Sequence, residues 1–172
     1  MLPNRIFIIG LPGAGKTFAG KLLAEELSLP FFDLDVVIEE QSAQTISAIF
    51  DEIGEDGFRK MEAETLRSFT QQNPQFILAC GGGTPCFAEN MEYMNAQGLT
   101  IYLNEMIEVI ARRLVIEKAY RPLIAKLDDG QIQSYLINLK AKREPFYLQA
   151  KIVVDNATQI ANKLKLVGVA TR

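Results

Sequence analysis

Residues 10 to 17, Gly-Leu-Pro-Gly-Ala-Gly-Lys-Thr, have the types and the spacing of a phosphate-binding loop. Glycines let backbone N–H groups turn inward around a phosphate, Lys16 can neutralise the outer phosphates of a nucleotide, and the hydroxyl of Thr17 can reach a magnesium ion. The helical pattern that follows would direct its positive end at the same anion. The segment therefore predicts a nucleotide site, and the alternative is a glycine-rich turn without a ligand.

Two acidic residues, Asp33 and Asp35, end the second apolar run of the chain, in the segment Phe-Phe-Asp-Leu-Asp. If the extended conformation continues through both, their side chains lie on the same side of a strand. One carboxylate could then reach the metal and the other a second substrate. The alternative is a helix N-cap acid with a solvated neighbour.

Three consecutive glycines, Gly81, Gly82 and Gly83, follow the third apolar run. In a doubly wound sheet the loops at the carboxyl ends of the strands form the ligand site. Glycines at that edge let a ligand touch the backbone and take hydrogen bonds from its N–H groups. A plain tight turn is the alternative.

Three arginines, Arg59, Arg121 and Arg143, lie close to proline or to other motif residues and could bind an anionic substrate. Arg59 could instead be a surface residue that pairs with Glu62, three residues further along a helix. Solvated charge is the alternative for Arg121 and Arg143. Pro145 is expected to break or kink the helix that carries Arg143.

Phosphoryl transfer is the chemistry that the composition allows. The sequence contains no histidine, which excludes Ser-His-Asp and Cys-His nucleophiles and every histidine-based zinc site. Phosphoryl transfer tolerates this limit, because it depends mainly on positioning and charge neutralisation. A net charge of −3 and a pI of about 5.1 argue against a nucleic-acid binder, which usually has a basic excess. They permit a small anionic substrate.

Two other classes of phosphate-loop protein have markers that this chain lacks. A regulatory GTPase reads guanine with Asn-Lys-x-Asp, and that tetrapeptide does not occur in the sequence. A motor ATPase usually ends its third strand in an acidic residue, whereas the third run here ends in Cys80. A string of the DxxG type at residues 51–54 follows a helical pattern, so we interpret it as accidental.

Short apolar runs that alternate with helical patterns predict a three-layer α/β domain with a parallel sheet. The predicted strands are Arg5–Ile9, Pro30–Asp33, Gln75–Cys80, Leu99–Leu103 and Lys151–Asp155. The predicted helices are Lys16–Leu27 with Ala19, Leu22, Leu23 and Leu27 inward, Gly57–Gln71, a helix capped by Asn104 that runs to about Leu114, and Thr158–Val167.

The 172 residues fit one domain. No apolar run approaches the roughly 18 residues of a membrane helix, and little chain precedes the first strand, which argues against a targeting leader. Cys80 and Cys86 fit a reducing compartment, as one core and one loop thiol, with pairing as the alternative. We therefore expect a cytoplasmic protein.

Residues 114–130 break the alternation of strands and helices and are expected to form a mobile excursion.

In their order and spacing the motifs resemble the shikimate kinase family over nearly the whole chain. The motifs that carry the resemblance read GLPGAGKT, DLD, GEDGFRKMEAE, GGG, RPLI and REPFY. Apart from the phosphate loop each is weakly specific alone, and their common order makes the match strong. The resemblance implies one domain over residues 1–172 with a five-stranded parallel sheet in the order 2-3-1-4-5, as in nucleoside monophosphate kinases. It also implies a lid near residues 114–126 and a substrate-binding region near residues 33–62.

The resemblance further implies transfer of the γ-phosphate of ATP to the 3-hydroxyl of shikimate, with Mg2+. It implies that Lys16 and Arg121 hold the moving phosphoryl group and that Asp35 is the base. The implied nucleotide ligands are Gly13, Ala14, Gly15, Lys16, Thr17, Arg113, near the adenine, and Arg121. Thr17 and Asp33 are the implied metal ligands. The implied shikimate ligands are Asp35, the carboxylate clamp Arg59 and Arg143, and the glycines Gly81, Gly82 and Gly83.

We expect a monomer that binds neither nucleic acid nor membrane. Two alternatives stay open at this point: another small-molecule kinase of the same fold, such as a gluconate kinase, and a nucleotide-binding switch without an acceptor. Three positions depart from the family pattern: Ala43 replaces a glycine, Cys80 replaces a small hydroxyl residue, and residues 115–120 lack the glycines of the lid.

Replacement of Lys16 by methionine should nearly abolish phosphoryl transfer and leave the fold intact. The variant loses a charge that faces the transferring group, and the loss of one such electrostatic stabiliser lowers the rate on the order of 10²–10³-fold. A coupled assay of ADP release in the presence of shikimate measures the effect. Turnover within a few-fold of the parent would show that the phosphate loop has been assigned wrongly.

Overall fold

The computed structural model describes residues 4–116, 127–160 and 162. Five strands form a single parallel sheet in the order β2-β3-β1-β4-β5, with helices on both sides. The sequence resemblance predicted this order, and it is confirmed. The strands are β1 Arg5–Ile9, β2 Phe31–Asp33, β3 Phe76–Ala79, β4 Leu99–Leu103 and β5 Ile152–Val154.

The middle strands are apolar along their length because helices cover both faces of the sheet. Ile6 to Ile9 in β1 and Phe76 to Leu78 in β3 have no exposed surface, as expected for a parallel sheet inside an α/β domain. The predicted bounds are confirmed for β1 and β4. The other three strands are shorter than predicted by one residue at one or both ends.

Six α-helices lie in the described part of the chain, together with two 3-10 turns at Thr84–Cys86 and Ala157–Gln159. In the described part, none of the helices combines the length and the apolar character needed to span a membrane. The helices are α1 Lys16–Leu27, α2 Leu34–Ser42, α3 Ile46–Gln72, α4 Asn90–Gln97, α5 Ile107–Ile116 and α6 Asp129–Tyr147.

Helix α1 has the predicted bounds, but one of its predicted core positions is wrong. Ala19, Leu23 and Leu27 are buried, whereas Leu22 is 38% exposed. Gly20 lies directly against the ring of Phe31, where a Cβ would overlap the ring. The buried face therefore turns toward β2 through Ala19, Gly20 and Leu23, and Leu22 lies at its margin.

The extended conformation expected through Asp33 and Asp35 ends at Asp33. The carboxylate of Asp33 accepts a hydrogen bond from the backbone N–H of Asp35 at 3.1 Å and caps helix α2. An acceptor at this position satisfies one of the free N–H groups of the helix, so the chain turns into a helix there. Asp35 therefore lies in the first turn of α2, not on a strand, which corrects the prediction.

Asn104 does not cap helix α5, which begins three residues later at Ile107. Its side-chain oxygen accepts hydrogen bonds from the hydroxyl of Tyr102 at 3.0 Å and from Lys140 Nζ at 2.8 Å. Its backbone N–H donates to the carbonyl of Val154 and so continues the sheet by one bond. These long-range partners explain why the predicted cap is wrong.

Helix α3 begins earlier than predicted, at Ile46, with Thr45 as its N-cap. Gly54 interrupts it with φ 69° and ψ −178°, a conformation that only glycine adopts readily. The string Asp51–Gly54 lies within this helix, which confirms that it is accidental. Arg59 lies just beyond the interruption, in the second helical segment.

Neither Pro145 nor Ala43 prevents the local backbone conformation found at its position. Pro145 does not break α6, which continues to Tyr147. Ala43 ends α2 in the left-handed conformation, with φ 54°, at a cost of roughly 1–2 kcal/mol for a residue with a Cβ. The left-handed turn that a glycine would favour is therefore formed in spite of the substitution.

Several predicted features lie outside the described residues. They are Arg121, most of the lid predicted near residues 114–126, and the helix predicted over Thr158–Val167 beyond its start. The described chain shows a 3-10 turn at Ala157–Gln159, capped by the side chain of Asn156.

Replacement of Gly54 by alanine should destabilise the protein by about 1–3 kcal/mol, because its backbone conformation is strained for any residue with a Cβ. No heavy atom lies within 4 Å of the position of a Cβ at Gly54, so the cost comes from the backbone alone. Gly130→Ala, in the first turn of α6, is the matched control and should stabilise by up to about 1 kcal/mol. Urea unfolding measures both, and equal effects would refute the strain at Gly54.

Candidate active site

A cavity of about 930 Å³ opens at the carboxyl ends of the central strands. Its volume is at the upper end of the range for small-molecule sites. Among the predicted site residues that the structure describes, all except Ala14 line it. These lining residues are Gly13, Gly15, Lys16, Thr17, Asp33, Asp35, Arg59, Gly81, Gly82, Gly83, Arg113 and Arg143.

The phosphate loop connects β1 directly to α1. Gly13 and Gly15 have φ 80° and 94°, values that exclude most side chains and let the loop close around an anion. Lys16 Nζ donates to the carbonyl oxygens of Gly10 at 3.1 Å and Leu11 at 2.9 Å. Ala14 is fully buried, and its N–H donates to the carbonyl of Leu11 at 3.2 Å. Helix α1 begins at Lys16 and directs its positive end into the loop.

The two predicted metal ligands lie side by side. The hydroxyl of Thr17 donates to Asp33 Oδ2 at 2.9 Å. A hydroxyl and a carboxylate are the hard oxygen donors that Mg2+ prefers, together with water and nucleotide phosphates. The donor set of Thr17 and Asp33 therefore fits a magnesium ion bound to a nucleotide.

Asp35 lies deep in the cavity and has an altered acidity. Burial, and then the neighbouring carboxylates of Asp33 and Glu62, raise the pKa of Asp35 from 3.8 to about 6, while the charge of Lys16 lowers it. A carboxylate with a pKa near the working pH is suited to act as a general base. The influence of Lys16 also shows that the phosphate loop and Asp35 share one electrostatic environment.

The guanidinium of Arg59 contacts aromatic rings and carboxylates on the wall of the cavity. Its guanidinium carbon lies 5.1 Å from the ring centre of Phe58 and 4.6 Å from that of Phe87. Its NH1 group pairs with Glu62 at 2.9 Å, and NH2 pairs with the exposed Glu55 at 3.4 Å. Within the described part of the chain, its buried Nε has no hydrogen-bond partner, so the guanidinium keeps donor capacity for another acceptor.

Glu62 is a site residue that the sequence analysis interpreted only as a surface partner of Arg59. The pair is present, but Glu62 is fully buried, and its second oxygen accepts from the hydroxyl of Thr84 at 2.6 Å. The spacing to Arg59 signalled the pair. The burial could not be foreseen, because Thr84 belongs to the turn after β3.

Charged side chains pack directly on the three glycines, and a Cβ there would force them to shift. A Cβ at Gly83 would lie 2.5 Å from NH2 of Arg59, and one at Gly82 would lie 2.9 Å from NH1 of Arg143. A Cβ at Gly81 would lie 3.2 Å from Oδ1 of Asp35. The segment is also a tight turn, with a hydrogen bond from Thr84 N to Gly81 O at 3.1 Å. The tight turn is therefore confirmed, and contact of a ligand with these glycines stays a prediction.

Tyr147 attaches helix α6 to this turn and was not predicted as a site residue. It is fully buried, and its hydroxyl donates to the carbonyl of Gly82 at 2.5 Å. Burial raises the pKa of the Tyr147 hydroxyl, so it stays a neutral donor. The bond fixes α6, and with it Arg143, relative to the carboxyl end of β3.

Arg113, Glu105 and residues 156–158 also line the cavity. Arg113 NH1 donates to the carbonyl oxygens of Gly13 at 3.3 Å and Ala14 at 3.1 Å, and NH2 pairs with Glu105 at 3.1 Å. Neither Glu105 nor the turn at residues 156–158 was predicted as part of the site. Their sequence signal is weak, because a single acid and a short Asn-Ala-Thr segment are common on protein surfaces.

Taken together, the fold and the cavity define a phosphate-loop kinase for a small molecule. The phosphate loop suits a nucleoside triphosphate, and a largely buried carboxylate with two arginines in the same cavity suits an anionic acceptor.

Comparison with known proteins agrees with this class. The family model of shikimate kinase matches residues 12–167. A shikimate kinase of Azobacteroides pseudotrichonymphae is 46% identical over 150 residues, which cover 87% of this chain and 88% of that protein. The crystal structure of shikimate kinase from Bacteroides thetaiotaomicron has a TM-score of 0.90 at 36% identity and covers 96% of this chain and 99% of that one. The structure of shikimate kinase from Acinetobacter baumannii in complex with shikimate has a TM-score of 0.85 at 33% identity. It covers 98% of this chain and 94% of that one.

The chain belongs to the shikimate kinase family. The predicted activity, phosphorylation of shikimate with ATP, is thereby confirmed at the level of the family. Membership decides against the two alternatives, a gluconate kinase and a switch without an acceptor.

Replacement of Asp35 by asparagine should lower kcat by about 10²–10⁴-fold, the usual contribution of a general base. In the parent, kcat/KM should fall as the pH drops through about 6, because protonation of Asp35 removes the base. The variant should lack this inflection. Rate profiles between pH 5 and 8 measure both effects, and a parent-like profile in the variant would exclude Asp35 as the base.

The same substitution should stabilise the protein at pH 7.5 by about 1–3 kcal/mol. The pKa of Asp35 is higher in the folded than in the unfolded chain, so ionised Asp35 opposes folding. This cost is present above about pH 6 and disappears as the pH falls toward 4. Asp51→Asn, at an exposed position of α3, is the control and should show no such gain in urea unfolding.

Proposed function

We propose that Asp35, Arg59 and Arg143 bind shikimate and that Asp35 accepts the proton of its 3-hydroxyl while ATP phosphorylates it. One observation carries this assignment. Side chains from α2, α3 and α6 meet on the three glycines after β3, in the cavity that also contains the phosphate loop. An acceptor placed there lies between the base and the transferring phosphate.

The two arginines are proposed to bind the carboxylate of shikimate. A carboxylate that leaves water needs charge-assisted hydrogen bonds, and the planar guanidinium of arginine matches its geometry. Arg59 is only 13% exposed and keeps an unpaired Nε within the described residues. Phe58 and Phe87 flank its guanidinium, so its interaction with an anion is poorly screened by solvent.

The proton and the phosphoryl group are proposed to move between Asp35 and the phosphate loop. Asp35 in its ionised form can only accept hydrogen bonds, which suits the hydroxyl groups of the substrate. Lys16 would exchange its bonds to the loop carbonyls for phosphate oxygens. Mg2+, held by Thr17 and Asp33, would neutralise charge on the outer phosphates. We also assign Arg121 to the moving phosphoryl group, on the resemblance alone.

The nucleoside of ATP is proposed to lie between Arg113 and the turn at residues 156–158. Both line the end of the cavity next to the phosphate loop. We propose further that the protein acts as a cytoplasmic monomer and binds neither nucleic acid nor membrane. The acidic net charge and the two free cysteines, one buried and one half-buried, support this proposal.

Arg59→Ala and Arg143→Ala should weaken shikimate binding and leave ATP binding nearly unchanged. Loss of one partner of a buried charged hydrogen bond typically costs about 2–5 kcal/mol, which is roughly 30- to several thousand-fold in affinity. Arg59→Lys should rescue only in part, because an ammonium cannot replace the planar fork. Calorimetric titration with each ligand measures the effects.

Two controls make this experiment specific. Arg112→Ala removes an exposed arginine of α5 and should bind both ligands like the parent. The methyl ester of shikimate should bind the parent about as poorly as shikimate binds the two variants. If the ester binds as well as the acid, or if the variants lose ATP instead, the carboxylate clamp has been placed wrongly.

A further inference from the structure

Glu105 is a buried acid in the nucleotide half of the cavity, between β4 and α5. Its side chain is only 6% exposed, and both of its oxygens have partners. Oε2 accepts from NH2 of Arg113 at 3.1 Å, and Oε1 accepts from the backbone N–H of Met106 at 3.2 Å. The second bond fixes the carboxylate to the backbone just before α5, so Glu105 offers a rigid acceptor to Arg113.

Arg113 connects this acceptor to the phosphate loop. While NH2 bonds to Glu105, NH1 donates to the carbonyl oxygens of Gly13 and Ala14 at 3.3 and 3.1 Å. The position of a Cβ on Gly15 would lie 3.3 Å from the same NH1 group. The guanidinium therefore packs on the backbone of residues 13–15, and glycine at position 15 gives it room.

The hydrogen bonds of Arg113 constrain the loop groups that would face a phosphate. The carbonyl of Ala14 and the N–H of Gly15 belong to one planar peptide unit, and in a trans peptide they point in opposite directions. The described chain contains no cis peptide. A cation that holds the Ala14 carbonyl therefore fixes the direction of the Gly15 N–H, which points away from Arg113. It also polarises the peptide and makes that N–H a stronger donor.

We infer that Glu105 is a positioning residue for the nucleotide phosphates. It fixes the guanidinium of Arg113 across the carbonyls of Gly13 and Ala14 and thereby pre-orients the N–H group of Gly15. Without this carboxylate, Arg113, which is 42% exposed, regains the rotamer freedom of a surface arginine. The inference rests on ATP binding by the loop and is independent of the residues proposed to bind shikimate.

The test compares Glu105→Gln with Glu108→Gln, which makes the same change at an exposed position of α5. Calorimetry with Mg-ADP and with Mg-tripolyphosphate separates the phosphate loop from the nucleoside. Glu105→Gln should weaken both ligands about 5- to 20-fold, because the ion pair with a partly exposed arginine is reduced to a hydrogen bond between the charged guanidinium and a neutral amide oxygen. Shikimate affinity should not change, and Glu108→Gln should bind all three ligands like the parent.

A double-mutant comparison tests whether Glu105 acts through Arg113. Arg113→Met should weaken Mg-ADP at least as much as Glu105→Gln, and the double variant should be no weaker than Arg113→Met alone. In steady-state assays Glu105→Gln should raise KM for ATP while kcat at saturating ATP stays within about threefold of the parent. If Glu105→Gln does not fold, Glu105→Asp replaces it: the shorter carboxylate keeps the charge but loses its reach to Arg113.

Three results would overturn the inference. Unchanged binding of both ligands by Glu105→Gln would show that the carboxylate does not act on the loop. A loss of ADP affinity without a loss of tripolyphosphate affinity would assign Glu105 to the nucleoside instead. Additive losses in the double variant would show that it acts independently of Arg113. Failure of the shikimate clamp experiment would leave this inference unaffected.

Discussion

The parallel pairing of β1 with β3 is the constraint on which the site depends. It brings the carboxyl ends of the two strands together, so that the phosphate loop after β1 and the three glycines after β3 leave the sheet side by side. β2 pairs with β3 in parallel on the other side and adds Asp33 to the same edge. Backbone hydrogen bonds of the sheet thus determine the distance between the phosphate loop and the triple-glycine turn, before any side chain is considered.

The burial of charged groups at this edge of the sheet opposes folding, and neighbouring side chains offset part of this cost. Asp33 and Glu62 lie close enough to Asp35 to raise its pKa, and burial of like charges opposes folding. Arg59 neutralises Glu62 in a direct pair, and Thr84 satisfies its other oxygen. Among the described residues Asp35 forms no ion pair, and burial, followed by the neighbouring carboxylates, raises its pKa. The instability of an ionised Asp35 is the same property that makes it suitable as a base.

The close approach of side chains to backbone explains the glycines of the site better than backbone conformation does. Gly13 and Gly15 have positive φ, but Gly81, Gly82 and Gly83 do not need it. A Cβ at these positions would crowd the side chains of Asp35, Arg143 and Arg59, which would have to shift. Tyr147 holds the turn through the carbonyl of Gly82, so the same contact that positions the turn also positions α6.

The sequence by itself determined the strands, the phosphate loop and most of the residues of the cavity. Continuous apolar runs and a complete loop motif are local signals, and they identified β1, α1 and β4 with their observed bounds. The order of the strands, in contrast, came from the resemblance to a family. Local signals failed where a residue's partner comes from a distant segment. Asn104 bonds to Lys140 and Val154 rather than to the start of α5, and the buried Glu62 accepts a hydrogen bond from Thr84. Only the tertiary structure decided that Asp35 begins a helix, that Arg59 lies between aromatic rings and that Glu105 reaches Arg113. Burial and ion pairing depend on atoms brought together across the fold, and the order of residues along the chain does not contain that information.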